Sequence, residues 1–130
     1  MDRQAELPGL SEAQLEVMHV LWERPEATLG EIWSELSRKR QLAKNTVQTL
    51  LTRLVEKGWV KYRQEGKSFL YTSAQGRGTA RRQILKKVLD AAFQGSTEGL
   101  VMTLLEDKGI SQDEADRLHR LIDEAERAEK

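Results

Sequence analysis

The chain has 130 residues, no cysteine, and equal numbers of acidic and basic side chains, 21 of each. This length corresponds to one domain, or to one domain with an added assembly segment, and the lack of cysteine excludes disulfides, thiol catalysis and cysteine-ligated zinc. No apolar run reaches the length of a transmembrane helix and the N-terminus does not resemble a secretion signal, so we expect a soluble cytoplasmic protein with no membrane partner.

The charges are unevenly distributed along the chain. Residues 1–37 hold 2 basic and 8 acidic side chains, residues 38–87 hold 14 and 2, and residues 88–130 hold 5 and 11. A strongly basic block between two acidic blocks is typical of a segment that binds a polyanion. The alternative is a chance fluctuation on a charged surface.

Two short helices are predicted in the N-terminal part of the chain. Residues 1–10 are expected to form a flexible leader. Ser11 with Gln14 has the spacing of a capping box and should start the first helix. Thr28 with Glu31 has the same spacing and should start the second helix.

A third helix is predicted over residues 43–58, with Gly58 as its C-terminal stop. Apolar side chains recur there at helical spacing, so one face should pack against the rest of the domain. The opposite face carries hydroxyls, amides and cations, with no carboxylate before Glu56. Such a face can lie in a DNA major groove, where Arg and Lys hydrogen-bond to guanine and Asn and Gln to adenine. The candidate DNA contacts on this helix are Lys44, Asn45, Thr46, Gln48, Thr49, Thr52 and Arg53.

Residues 59–73 are rich in aromatic and β-branched side chains, which predicts two strands joined by a loop over residues 64–67. A hairpin that directly follows a helix-turn-helix is a winged-helix arrangement. Arg63, Lys67 and Ser68 near its tip are candidate contacts to DNA phosphates or to the minor groove. The alternative is an ordinary polar hairpin tip.

Three further helices with apolar stripes are predicted over residues 76–130. Helices of about 15 residues can barely form a core alone, so we expect this segment to be a homodimerisation region. The alternative is that these helices fold back onto the N-terminal domain of the same chain. The apolar residues assigned to the dimer contact are Ile84, Leu85, Val88, Leu89, Phe93, Leu100, Val101, Leu104, Leu105, Leu118, Leu121 and Ile122.

The predicted fold is therefore mainly α with a small β-hairpin wing. It comprises a winged helix-turn-helix DNA-binding domain over residues 11–75 and a C-terminal helical dimerisation region over residues 76–130. No nucleophile, base and oxyanion site can be assembled, so we do not expect an enzyme. No metal site and no cofactor are predicted, and His19 and His119 are interpreted as packed or solvated side chains.

Three blocks of the sequence resemble one family. Residues 10–18, residues 46–54, and residues 99–102 with 110–115 are similar, in this order, to the penicillinase-repressor (BlaI/MecI/CopY-type) regulators. The resemblance implies a dimeric winged-helix repressor that binds an inverted-repeat operator. The DNA contacts that it carries over are Asn45, Thr46, Gln48, Thr49 and Arg53, whereas Lys44 and the wing residues are assigned from their charge.

Two features of the family pattern are missing. Copper-responsive members use cysteines near the C-terminus, and this chain has none, so copper sensing is not expected. Members that respond to β-lactams are inactivated by proteolysis at an Asn-Phe bond in the dimerisation region, and the corresponding bond here is Thr103–Leu104. The resemblance thus implies a regulatory protease of unknown identity as a partner, but leaves its specificity and the inducing signal open.

The leading hypothesis is a sequence-specific repressor that binds a pseudo-palindromic operator of double-stranded DNA as a homodimer. The alternative is a winged-helix module that binds other proteins, which predicts no salt-dependent binding to duplex DNA. An RNA-binding module would prefer single strands and would expose aromatic side chains for stacking. The chain has few aromatic side chains, 5% in all, and we expect few of them to be exposed, which argues against that third hypothesis.

Overall fold

In the computed structural model, which describes residues 7–129, a three-helix segment precedes an antiparallel β-hairpin and three further helices follow it. The elements are α1 (Glu12–Glu23), α2 (Leu29–Leu36), α3 (Lys44–Lys57), β1 (Val60–Glu65), β2 (Ser68–Ser73), α4 (Arg77–Phe93), α5 (Thr97–Lys108) and α6 (Gln112–Ala128). This order confirms the predicted fold class, mainly helical with a small hairpin wing. None of the helices between residues 7 and 129 has the length and apolar character needed to cross a lipid bilayer.

The capping boxes that the sequence predicts for α1 and α2 are present at the starts of these helices. Ser11 Oγ accepts a hydrogen bond from the backbone N–H of Gln14 at 3.1 Å, and Gln14 Oε1 accepts one from the backbone N–H of Ser11 at 2.9 Å. Thr28 and Glu31 make the same reciprocal pair. Each box pairs two backbone donors at a helix start, so local sequence sets where these two helices begin.

The core of the first compact unit lies between α1, α2, α3 and the hairpin. Its buried apolar side chains are Val17, Met18, Val20, Leu21, Ala27, Ile32, Leu36, Val47, Leu51, Leu54, Trp59, Val60, Tyr71 and Ala80. Three of them, Val47, Leu51 and Leu54, belong to the predicted apolar stripe of α3 and are fully buried, whereas Leu50 and Val55 of the same stripe are partly buried. Because this stripe is fixed in the core, the same packing fixes the direction of the outer face of α3.

The last four residues of the predicted leader are docked on this unit. Trp59 Nε1 donates a hydrogen bond to the carbonyl of Pro8 at 2.8 Å. The side-chain amide of Gln83 exchanges two hydrogen bonds with the backbone of Leu7, at 2.6 and 3.3 Å. The backbone of this stretch is thus paired with the buried indole of Trp59 and with the half-buried amide of Gln83. The rest of that leader, residues 1–6, lies outside the described residues.

The first turns of α4 pack with the first unit. Ala80 is fully buried, and Arg77 Nη2 lies 2.7 Å from a carboxylate oxygen of Glu23. The two compact units separate after Leu85, inside α4, whereas the sequence placed a boundary at residue 76. A helix continues through backbone hydrogen bonds whichever unit its side chains contact, so the composition of the chain gave no signal at this point.

The second unit contains the rest of α4 together with α5 and α6. None of its described residues is buried, although its helices carry apolar stripes. Its exposed large apolar side chains are Val88, Val101, Met102, Leu104, Leu105, Ile110, Leu118, Leu121 and Ile122. An exposed apolar surface of this kind is typical of an interaction site.

Candidate nucleic-acid interface

The outer face of α3 is accessible, as the sequence predicts. Its polar side chains are exposed at Lys44, Asn45, Thr46, Thr49, Thr52 and Arg53, and half-buried at Gln48. The first turn of α3 contains no acidic residue, and the single carboxylate of the helix belongs to Glu56, near its C-terminal end. The structure thus presents a surface of hydrogen-bonding groups and positive charge that can approach a polyanion.

The start of α3 is organised by Trp33 from α2. Trp33 Nε1 donates a hydrogen bond to the carbonyl of Leu42 at 2.7 Å, which fixes the turn between the two helices. Lys44 Nζ lies 5.7 Å from the centroid of the Trp33 ring, within range of a cation–π attraction. Ala43 provides no side-chain cap, so backbone N–H groups and the positive end of the helix dipole add to the charge of Lys44.

Gln48 and Thr52 differ in how freely they can bind a ligand. Thr52 Oγ1 donates to the backbone carbonyl of Gln48 at 3.0 Å, so its hydroxyl proton is already used. Gln48 Nε2 lies 3.5 Å from Thr52 Oγ1, at the outer limit for a hydrogen bond. The Gln48 amide is therefore the better placed of the two to form a pair of hydrogen bonds with a base edge.

The wing tip is a two-residue turn, Gly66–Lys67, where the sequence predicted a four-residue loop. Strand pairing continues to the pair Glu65–Ser68, because Gly66 adopts a φ of 61° that suits such a tight turn. Lys67 and Ser68 are exposed at the tip. No ion pair of Lys67 occurs within residues 7–129, so its ammonium group can bind a phosphate.

Arg63 is held by carboxylates of its own chain. Its Nε and Nη2 donate to the two carboxylate oxygens of Glu26 at 2.7 and 2.9 Å, and its Nη1 lies 3.7 Å from Glu65. The hydrogen bond from Arg63 holds the pKa of Glu26 below its usual value and raises the pKa of Arg63. The predicted phosphate contact of Arg63 would therefore require this bidentate pair to open. Sequence reasoning missed Glu26, since a partner 37 residues away leaves no local pattern.

The residues assigned to the dimer contact lie on α4, α5 and α6. None of the twelve is buried, and they are half-buried only at Leu89, Phe93 and Leu100. Their exposure leaves the surface accessible to another molecule, and the dimer contact itself stays a prediction. Sequence reasoning also missed two exposed aromatic residues on the wing, Tyr62 and Phe69.

Comparison with known proteins gives consistent matches. The penicillinase repressor family matches residues 10–124. A penicillinase repressor from Bacillus licheniformis is 30% identical over 118 residues, which cover 91% of this chain and 92% of that protein. The solution structure of the DNA-binding domain of the repressor BlaI is 34% identical, has a TM-score of 0.53, and covers 58% of this chain and 93% of that one. The monomeric form of Bacillus licheniformis BlaI, in complex with the blaP half-operator, is 36% identical, has a TM-score of 0.50, and covers 56% of this chain and 89% of that one.

Replacing Arg63 tests the ion pair that holds the wing. Arg63→Met should raise the pKa of Glu26 toward the ordinary carboxyl value, because the hydrogen bond that lowers it is removed. The pKa can be measured by NMR titration of the Glu26 side chain. Arg38→Met is the control, since Arg38 contacts a different carboxylate, that of Glu35, at 3.7 Å.

The pair should also affect stability in a pH-dependent way. The folded pKa of Glu26 lies below its unfolded value, so the pair stabilises the folded state above the unfolded pKa, and this contribution is lost as the pH falls through the folded pKa. The difference in unfolding free energy between wild type and Arg63→Met should shrink accordingly in acid. An unchanged Glu26 pKa in Arg63→Met would contradict the assignment.

Proposed function

The chain belongs to the penicillinase repressor family, and from this premise we propose that it is a sequence-specific DNA-binding transcriptional repressor that acts as a homodimer on a pseudo-palindromic operator. The observation that carries the proposal is the exposed, carboxylate-poor outer face of α3. The fold of the first unit and its likeness to the BlaI domain support it.

Within this proposal α3 is the recognition helix and lies in the major groove. Base contacts come from Asn45, Gln48 and Thr49, whose amide and hydroxyl groups match the hydrogen-bonding edges of bases. Arg53 and Lys67 bind phosphates, which fix the position of the domain on the duplex. The BlaI monomer in complex with a half-operator supports the idea that one winged-helix unit reads one half-site.

The proposed homodimer is supported by the second unit. Its apolar side chains remain uncovered within residues 86–129 of one chain, so association with a second copy would remove them from water. A two-fold symmetric dimer presents two recognition helices related by the same axis, which favours an inverted repeat in the DNA. Because a repressor must reach chromosomal DNA, the proposal also implies a cytoplasmic protein.

Relief of repression by a regulatory protease is the remaining part of the proposal. The bond Thr103–Leu104 lies inside α5, and both side chains are exposed. A protease must accept an extended backbone, so cleavage at this bond would first require local unfolding of α5. α5 has no buried residue in a single chain, so the free energy of this opening is set by the proposed dimer contact that covers Leu104 and Leu105.

Selection of bound duplexes from a random-sequence pool tests this function directly. We expect the recovered sequences to contain two related half-sites in inverted orientation, with their centres one helical turn or a multiple of a turn apart. Recovery of single, unpaired half-sites would contradict the homodimer. No enrichment above the starting pool would contradict DNA recognition and would favour a protein-binding winged helix.

Two substitutions separate base reading from phosphate binding. Gln48→Ala should reduce discrimination at one base pair of the selected duplex by about 1–3 kcal/mol. Lys67→Ala should weaken binding to all sequences alike and reduce the slope of log affinity against log salt by about one unit. Both effects can be measured by gel-shift titration at several salt concentrations. The reverse assignment of effects would show that the roles of the two residues are wrong.

A further inference from the structure

The wing carries two exposed aromatic side chains on one face. Tyr62 lies opposite Tyr71 across the hairpin, and Phe69 lies opposite Gln64. Because alternate residues of a strand share a face, Tyr62, Phe69 and Tyr71 all lie on the same side of the hairpin. We call the pair Tyr62 and Phe69 the aromatic shelf.

The aromatic shelf has a fixed geometry. The rings of Tyr62 and Phe69 meet edge to face, with centroids 5.3 Å apart and an interplanar angle of 87°. The Tyr62 ring also lies 6.0 Å from the ring of Tyr71, which is buried. Tyr71 is anchored in turn by two backbone hydrogen bonds with Ala27, at 2.8 and 3.0 Å. A ligand therefore meets a preformed surface, and little ordering is needed for binding.

The aromatic shelf is open to solvent although it is apolar. Tyr62 is 53% exposed and Phe69 is 42% exposed. The shelf forms one wall of a groove of about 240 Å³ between the wing and α3. The facing wall contains Gln48 and Thr52, so the shelf continues the outer face of the proposed recognition helix.

We infer that the aromatic shelf packs against deoxyribose groups of the DNA strand that runs between the recognition helix and the wing. The inference rests on the proposed function and assigns DNA contact to residues that carry no charge. If α3 lies in the major groove and Lys67 binds a phosphate beyond it, the strand between them must cross this groove. Because the groove is continuous with the outer face of α3, which is proposed to bind DNA, we take DNA to be the molecule that occupies the groove.

The charges around the groove indicate which part of the strand faces the shelf. The groove lining includes one carboxylate, Glu56, and no Lys or Arg. A phosphate would be repelled there, whereas the C–H groups of a deoxyribose can pack on an aromatic ring without a charged partner. The cations that attract the phosphates, Arg53 and Lys67, are outside this lining.

Such a contact has a distinctive signature in binding experiments. Apolar packing on a sugar releases no counterions, so it should leave the salt dependence of affinity unchanged. Every nucleotide carries the same sugar, so the contact should also strengthen binding to all sequences equally. No base-reading or phosphate-binding residue combines these two properties.

The test compares Phe69→Ala with wild type on two fluorescein-labelled duplexes, the selected sequence and a scrambled version of it. We expect Phe69→Ala to lower affinity about tenfold on both duplexes, the order expected when an apolar surface of this size is no longer covered. The salt slope should equal that of wild type. Leu70→Ala is the matched control, since Leu70 lies next in sequence and on the opposite face of the hairpin, and it should bind as wild type does.

The possible outcomes separate the shelf from the function on which it rests. If Phe69→Ala binds DNA as tightly as the wild-type protein does, and the wild-type protein binds in a salt-dependent way, the contact between the shelf and deoxyribose is wrong and the proposed function stands. The same result is expected if the groove holds a small organic molecule instead of DNA. If Phe69→Ala loses affinity for only one of the two duplexes, or if its salt slope differs from that of wild type, the proposed contact with deoxyribose is wrong. If the wild-type protein binds neither duplex, both the proposed DNA recognition and the proposed contact with deoxyribose are wrong. Phe69→Gln replaces Phe69→Ala in the same comparison if thermal unfolding shows that the alanine variant does not fold.

Discussion

The inner stripe of α3 is the constraint on which the rest of the structure depends. Val47, Leu51 and Leu54 are fully buried against the other elements of the first unit, and each such side chain contributes about 1.5–3 kcal/mol when removed from water. A rotation of α3 about its axis would expose these side chains and bury polar ones. Because this rotation is unfavourable, burial of the inner stripe is sufficient to keep the side chains of the outer face pointing to solvent.

The wing depends on a second set of contacts, since an isolated two-stranded hairpin is at best marginally stable. Its base is fixed by the buried indole of Trp59, and the short bridge between Ala27 and Tyr71 pairs with β2 on the edge that β1 leaves open. Arg63 adds an exposed ion pair to Glu26 on the segment between α1 and α2. These contacts place the wing beside α3 and form the groove between the aromatic shelf and the proposed recognition helix.

The features that follow from local patterns could be predicted from the sequence, and those that depend on distant partners could not. Capping boxes, the apolar stripe of α3 and its stop at Gly58, which has a φ of 90°, all arise within a few residues of chain. The pairing of Arg63 with Glu26 and the docking of Leu7 on Gln83 join residues far apart in sequence. Its positive charge made Arg63 a candidate DNA contact in the sequence, whereas in the structure this charge is compensated by the carboxylate of Glu26. The exposed aromatic residues of the wing were missed because the alternation of residues along a strand does not show whether a face of the hairpin is covered by the rest of the fold.

The central claim is that the outer face of α3 enters duplex DNA, and the absence of natural cysteines allows a direct measurement. A thiol at the exposed position 49, introduced as Thr49→Cys, can be alkylated with and without the selected duplex. Glu12→Cys serves as the control, since Glu12 is exposed at the start of α1, close to Gln14, which binds Lys57 at the opposite end of α3. The account predicts that DNA strongly slows alkylation at position 49 and leaves position 12 unchanged. Equal alkylation of Thr49→Cys in the free and the DNA-bound protein would contradict it.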